Sequence, residues 1–472
     1  MNDPFEQIRS SSHTQPPDKP AIWDKTKASV AAGARPNDRP PGRWAKVAGA
    51  VVGVLVLGVA VPLTIKTVTQ PAEPLGGGSA GQPVAAVSPT TPATTPAPES
   101  VQLVIGTVPK DAGAQVAALA EPLFPLVVAA ADSATNPAYS PLSVYLTLGL
   151  VANGASGQAA EQLDALLGGP VDVVNKLAAG VMTEYVNTNA GPKLVVANSL
   201  WLADWVTVNP AFANQAQAIF RAEVTSLDLV NQGKEQINQW VAQKTNQLID
   251  EIVGDLQPDT IACLVNALYF KAAWQLPFSL KDTENRPFTL ADGTVVEVPT
   301  MYGHHWVEAF STDTADGVVL PYAGERFGMV VALPAEGVDQ ISWDGSQIAS
   351  WLAAADTEHG VINVYMPKWE SQLSADLVEP LEQLGLTEPF DPATYDLAGI
   401  TEPGGFISEV AHKAVVKVDE RGTEASAATN ANMLLSMGSD IRFDRPFVYA
   451  IVDLETGLPL FLGQVNNPLA IP

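Results

Sequence analysis

The chain has 472 residues, 47% of them apolar, enough for one large or two ordinary domains with a sizeable core. Its formal net charge of -26 argues against nucleic acid and anionic polysaccharide as partners. The single cysteine, Cys263, excludes an internal disulfide; it lies in an apolar run and reads as a small buried hydrophobe. Scarce lysine with abundant alanine and valine suggests a high-GC bacterial source.

Residues 1–46 are polar, contain proline and lack periodicity, as a disordered segment does. Residues 47–65 form a run without charge, and at about 1.5 Å per residue it is just long enough to cross a membrane as a helix. Arg39, Arg43 and Lys46 precede it and only Lys66 follows closely, which places the N-terminus in the cytoplasm and the rest outside. A cleaved signal peptide is the rival reading, but the leader is long for an n-region and no clear cleavage site follows. Residues 66–100, rich in Pro, Gly, Thr and Ala, read as a tether. Gly77-Gly78-Ser79-Ala80-Gly81 has the spacing of a nucleophile elbow but neither the strand before nor the helix after it that the motif needs.

Residues 101–472 form the folded part, with mixed α+β character. Residues 144–167 contain two helical stretches split at Asn153-Gly154-Ala155. Residues 193–202 and 260–270 have the apolar continuity of buried strands. Residues 234–253 have helical spacing, with Ile237, Val241, Leu248 and Ile252 on one side. Residues 446–465 read as two strands joined by a turn at Glu455-Thr456-Gly457. His304 and His305 are adjacent, so in a strand they point to opposite faces and cannot readily share a metal ion.

The segment 409–429 is the most informative. Val415, Val416 and Val418 mark a strand, which Asp419-Glu420-Arg421-Gly422 breaks. Beyond it, Thr423, Ala425, Ala427 and Thr429 alternate, so an extended chain would carry four small side chains on one face. Such a strand can slide into a crowded interior.

This segment resembles the reactive-loop hinge of the serpins (serine protease inhibitors). Other motifs resemble the family in order and spacing: Asn136 to Ser143 as N-x-x-x-S-P-x-S, Asn198 to Leu202, Asn266 to Trp274 with Pro277-Phe278, Leu320-Pro321-Tyr322, Tyr365 to Lys368, Asp396 to Thr401, and Phe443 to Phe447. The resemblance covers residues 101–472. It implies a serpin fold with three β-sheets, eight or nine helices and an exposed reactive-centre loop. It also implies roles: Ser140, Ser143, Asn266 and His412 as the polar cluster where the central sheet opens, and Glu420 with Lys368, beside Trp274, where the loop enters it. As an exposed ion pair the latter two would contribute only roughly 0–1 kcal/mol. The hinge is Glu420, Gly422, Thr423, Glu424, Ala425, Ser426, Ala427 and Ala428. Counting to the scissile bond from the hinge and from Phe443 gives answers one residue apart; Leu435–Ser436 is preferred over Ser436–Met437.

The activity implied is suicide inhibition, not enzymatic turnover: a serine protease cleaves the loop, and the freed hinge inserts as a strand, which is the family's known mechanism. With Met433, Leu434 and Leu435 apolar and no Arg or Lys between Arg421 and Arg442, chymotrypsin-, elastase- or subtilisin-like targets fit better than trypsin-like ones. The alternative is a non-inhibitory serpin acting as a binding or carrier protein, against which the small hinge residues argue. No cofactor or metal is implied, and the expected partners are a protease, the membrane through one helix, and no second copy. The chain is thus expected to be a membrane-anchored bacterial member, its serpin domain extracellular.

Overall fold

The computed structural model describes residues 101–129, 135–186, 192–258, 260–338, 341, 343, 346–355, 359–394, 396–402, 404–423 and 439–470. The described residues contain eight α-helices: α1 Ala112–Ala129, α2 Pro141–Ala152, α3 Gly157–Leu166, α4 Val171–Glu184, α5 Pro210–Phe220, α6 Lys234–Lys244, α7 Gln347–Ala355 and α8 Val378–Gln383. They also contain three sheets, in agreement with the expected fold class.

The central sheet has six strands: β2 Lys193–Ala203, β4 Glu223–Leu227, β5 Ala262–Ala273, β11 Trp369–Asp376, β13 Glu409–Asp419 and β14 Gly422–Thr423, in the order β11-β13-β14-β5-β2-β4. A nine-stranded sheet runs from β1 (Ala138–Tyr139) through β17 (Pro459–Val465), β16 (Phe447–Asp453), β9 (Phe327–Pro334), β8 (Ala315–Pro321), β7 (Val295–Ser311) and β10 (His359–Pro367) to β15 (Ser439–Arg442), with β6 (Glu284–Thr289) beside β7. β3 (Thr207–Val208) and β12 (Thr401–Glu402) make a small third pair.

Local chemistry explains why α2 starts under the central sheet. Pro141 sits in its first turn, where a missing N–H costs nothing, and the Ser140 side chain caps it by accepting from the Ser143 N–H at 3.2 Å. All twelve residues of α2 are buried, so it is a core helix between the two large sheets. α1 is long and apolar enough to cross a membrane, but over half of it is buried and Leu119, Leu123 and Phe124 face the core.

The helix expected over 234–253 stops at Lys244. Asn246 and Gln247 take left-handed φ values of 53° and 64° and break it. The Asn238 side chain then holds the following loop, accepting from Ile252 N–H at 2.8 Å and Val253 N–H at 3.1 Å. Ile249, Ile252 and Val253 thereby reach the same apolar cluster as Ile237 and Val241, while Leu248 is 37% exposed. The hydrophobic spacing persists; the helix does not. The two strands and turn expected near the C-terminus are β16 and β17, paired antiparallel.

β13 and β5 position the site. They run parallel and pair directly from Glu409–Cys263 to Lys413–Ala267. The same register would place Val418 opposite Ala272, but there Thr423 lies between them, paired to both. The strands therefore part by one strand width, about 5 Å. Between these ends, residues 414–417 and 268–271 face each other with no ladder pairing, which leaves a slot in the sheet.

Candidate functional site: a slot in the central sheet

The lower end of the slot is closed over neutral hydrogen bonds. The Ser140 N–H donates to His412 Nε2 at 3.1 Å, and the Ser140 hydroxyl donates to the Leu460 carbonyl at 2.7 Å. Ser143 Oγ donates to Asn266 Oδ1, and Asn266 Nδ2 donates to Asn198 Oδ1. Asn198 in turn donates to the Phe220 carbonyl at 2.9 Å. His412 and Asn266 are themselves paired across β13 and β5. The four residues read from the sequence are thus brought together, and all are buried. His412 accepts through Nε2 and is neutral; burial pushes its pKa down to about 4.

The upper end is built from rings and charge. The Trp274 Nε1–H donates to the Asp419 carbonyl at 3.0 Å, and its ring stacks on Tyr322 at 4.6 Å and 6°. The Tyr322 hydroxyl and Thr423 Oγ1 lie 2.6 Å apart, both buried, with Thr423 only 1% exposed. Gly422 makes the turn into the slot with φ 144°, and a Cβ there would lie 2.1 Å from the Ala272 carbonyl oxygen. Glu420 pairs with Lys368 at 3.1 Å and accepts from the Thr283 hydroxyl at 2.9 Å. Burial pushes its carboxyl pKa up, but bonds from backbone, Lys368 and Thr283 together outweigh it and hold the pKa below the ordinary value. The pair is not the exposed one the sequence allowed for: the Glu420 side chain is 4% exposed.

The profile described as Serpin (serine protease inhibitor) matches residues 115–468. The chain belongs to the serpin family. Glia-derived nexin of Mus musculus is 32% identical over 351 residues, covering 71% of this chain and 88% of that protein. The native-state structure of tengpin, a thermophilic serpin, superposes with a TM-score of 0.71 at 26% identity, covering 78% of this chain and 96% of tengpin. A thyroxine-binding globulin complex with thyroxine gives a TM-score of 0.66 at 25% identity, covering 76% and 99%. The family thus spans protease inhibitors and a thyroxine-binding globulin, and its members are generally inhibitors of proteases, not catalysts.

Within this serpin the remaining expected residues divide cleanly. Glu424, Ala425, Ser426, Ala427, Ala428, Leu435 and Ser436 lie outside the described residues, as do residues 1–100 with the expected anchor and tether. Cys263 is fully buried, and burial pushes its thiol pKa well up. His305 is buried against Phe278, while His304 bonds the Tyr302 hydroxyl at 2.9 Å, so the two histidines diverge. Among the described residues no cluster suited to a metal occurs. Reading the sequence missed two functional partners, Tyr322 and Asn198. Both stood in motifs used as strand markers; nothing in their spacing ties Tyr322 to Thr423, 101 residues away.

Proposed function

We propose that residues 101–472 act as a suicide inhibitor of serine proteases with chymotrypsin-, elastase- or subtilisin-like specificity. The observation that carries this reading is the seated Thr423: the hinge has begun a strand, and an unpaired slot lies directly below it. A protease attacking Leu435–Ser436 forms an acyl-enzyme, and the freed chain continues the strand that Gly422 and Thr423 start. Roughly a dozen new ladder bonds at about 1 kcal/mol net each release on the order of 10 kcal/mol, comparable with the stability of a whole domain. That suffices to distort a tethered protease, and it makes the uncleaved form a kinetically held state.

Residues 47–65 serve in this proposal as an uncleaved signal-anchor in a bacterial membrane. Residues 1–46 are cytoplasmic and 66–100 lift a monomeric inhibitor domain away from the outer surface. Thr423, Ala425 and Ala427 favour inhibition over a carrier role, because each suits a tight interior.

Incubation with a panel of serine proteases tests the reading. An SDS-stable complex, a cut at Leu435–Ser436 by mass spectrometry and a higher melting temperature after cleavage are expected. Leu435→Arg is expected to redirect inhibition to trypsin-like enzymes. Clean turnover of the loop, with no complex and no thermal gain, returns the carrier reading. Recovery of the domain in the membrane fraction, and its release from intact cells by protease, tests the anchor; a mature N-terminus beyond residue 66 in the medium removes it.

A further inference from the structure

Residues 104–108, just before α1, run as a strap from α5 to α4. Three alternate N–H groups hold them. The Val104 N–H donates to the Ala218 carbonyl on α5 at 2.9 Å. The Gly106 N–H donates to the Thr183 hydroxyl oxygen at 3.2 Å and the Val108 N–H to Glu184 Oε1 at 3.0 Å, both on α4. A spacing of two is that of an extended chain presenting one edge. Two glycines let the backbones meet: a Cβ on Gly180 would lie 2.5 Å from the Thr107 carbonyl, and one on Gly106 would lie 3.0 Å from the Gly180 nitrogen. The apolar side chains of the strap stay largely outside, with Ile105 71% exposed, so hydrogen bonds more than burial keep it in place. Such a segment belongs to the low end of local stability.

The two helices belong to different parts of the fold. α4 is fastened to the nine-stranded sheet: Glu184 Oε2 pairs with Arg326 Nη2 at 2.7 Å, and Arg326 Nε donates at 2.8 Å to Asp453, fully buried at the end of β16. β11 is fastened to the same sheet, with the Trp369 ring 5.3 Å from Phe447 and 5.4 Å from Tyr449. β13 pairs with β11 along its length, so one wall of the slot is held there. α5 goes with the other wall. It leads into β4, which pairs with β2, and its Phe220 carbonyl accepts from the Asn198 amide of β2 at 2.9 Å. A lighter tie, from Gln215 to Asn153 at 2.6 Å, joins α5 to the end of α2 and is exposed. We propose that residues 104–108 are a releasable brace on the slot. Docked, they tie the β5–β2–β4 half, through α5, to α4 and the nine-stranded sheet. Released, they free that half to move away from β13.

The consequence for the slot rests on the insertion reading; the tie between the helices does not. Full-length chain in detergent is compared with Gly180→Ala, Gly106→Val and Thr183→Val by amide hydrogen exchange, thermal melting and trapping of a chymotrypsin-like protease. Alanine is a better helix former than glycine, so Gly180→Ala by itself favours α4, and its Cβ displaces only the strap. Exchange should quicken about tenfold in residues 101–108 and about threefold in α5 and β4, and stay unchanged in β16, which shows the fold intact. The uncleaved chain should melt lower, and its trapping capacity should be lost about three- to tenfold faster on storage, since a looser slot shortens the life of a kinetically held state. Thr183→Val removes one acceptor at constant volume and should have the smallest effect of the three. Faster exchange confined to residues 101–108, with wild-type melting and storage life, overturns the brace alone. Unchanged exchange in those residues in every variant also overturns it. Absence of any wild-type complex, with no thermal gain on cleavage, overturns the insertion reading and the role at the slot, while exchange in α5 and β4 still decides the tie between the helices.

Discussion

At the lower end of the slot β13 and β5 join directly over a cluster of neutral hydrogen bonds; at the upper end Thr423 holds them a strand apart beneath stacked rings and an ion pair. The difference matches what the proposed insertion asks of each end. A neutral, fully bonded cluster such as Ser140–Ser143–Asn266–His412 costs most when one member is lost, because each remaining partner is left buried and unpaired. In the proposed insertion mechanism such a cluster would resist separation until an incoming strand offers replacement bonds. The upper end is already separated, and in the same proposal it admits the chain. Thr423 there holds an interior place with one hydroxyl bond and a small side chain.

The largest effect should come from Thr423→Arg. Its guanidinium would have to enter a site of 1% exposure between Tyr322 and the sheet, a cost of several kcal/mol. Cleavage at the loop is expected to continue while the yield of trapped protease falls by more than about 100-fold, each 1.4 kcal/mol being a factor of ten. Thr423→Val keeps the volume and loses the Tyr322 bond, so it should cost only about 1 kcal/mol. Equal behaviour of the two variants would mean that size and charge do not matter at this position, and that the hinge does not insert there. Complex formation on denaturing gels reads this directly.

Asn266→Ala should be next. It strands the Ser143 hydroxyl and the Asn198 amide, both buried, and should remove about 3 kcal/mol from the uncleaved form. For a domain of this size that is a fall of about 4 °C in melting temperature. Because insertion supplies new bonds, the cleaved form should lose less. A larger loss in the cleaved chain than in the intact one would reverse the assignment of the lower end as the part that keeps the slot shut.

The third effect is acid sensitivity. His412 at the lower end and His305 beside Phe278 at the upper end are both pushed by burial from the ordinary 6.5 to about 4. A depressed histidine pKa means the unfolded chain binds more protons between those values. Stability is therefore full above about pH 6.5 and falls with pH until about 4, by about 2 kcal/mol per group already at pH 5. Melting curves at pH 8 and pH 5 should show that drop. His305→Leu should remove its half of it, whereas His412→Leu also orphans the Ser140 N–H and should lower stability at both pH values.

The two ends also differ in how legible they were. The small-residue alternation from Thr423 and the strand 409–419 could be read locally, since both depend on residues two apart. The lower cluster could be named only through the resemblance to the serpins, whose polar cluster its members match. That Thr423 is already seated could not be read: it depends on the opening between β13 and β5 and on Tyr322, which only the tertiary register brings close. The premature end of α6 was hidden for a similar reason, because the Asn238 bonds keep an apolar pattern on the core after the helix has stopped. The burial of Glu420 was hidden too, since a charged pair in a turn looks exposed until Thr283 and Phe278 close over it.

Glu420 and Lys368 give the smallest effect and the finest test. The carboxylate is 4% exposed and the ammonium side chain 38%, so the two are not equivalent halves of one bond. Lys368→Met leaves a largely buried carboxylate with Thr283 as its remaining side-chain partner, and solvent at the lysine position limits the loss to about 1–2 kcal/mol. Glu420→Gln leaves the lysine free to turn to water and keeps an acceptor for Thr283, so it should cost less, about 0.5–1 kcal/mol. The pH dependence separates them further. With a depressed carboxyl pKa the pair stabilises above the ordinary carboxylate range, and that stability is lost as pH falls below this range through the depressed pKa, so the wild-type advantage over Lys368→Met should shrink steadily with acidification. Paired thermal melts of both variants across pH 3 to 8 measure this. If Glu420→Gln proves the more damaging at neutral pH, the ammonium is the group that burial leaves stranded, and the upper end is drier than its exposed lysine implies.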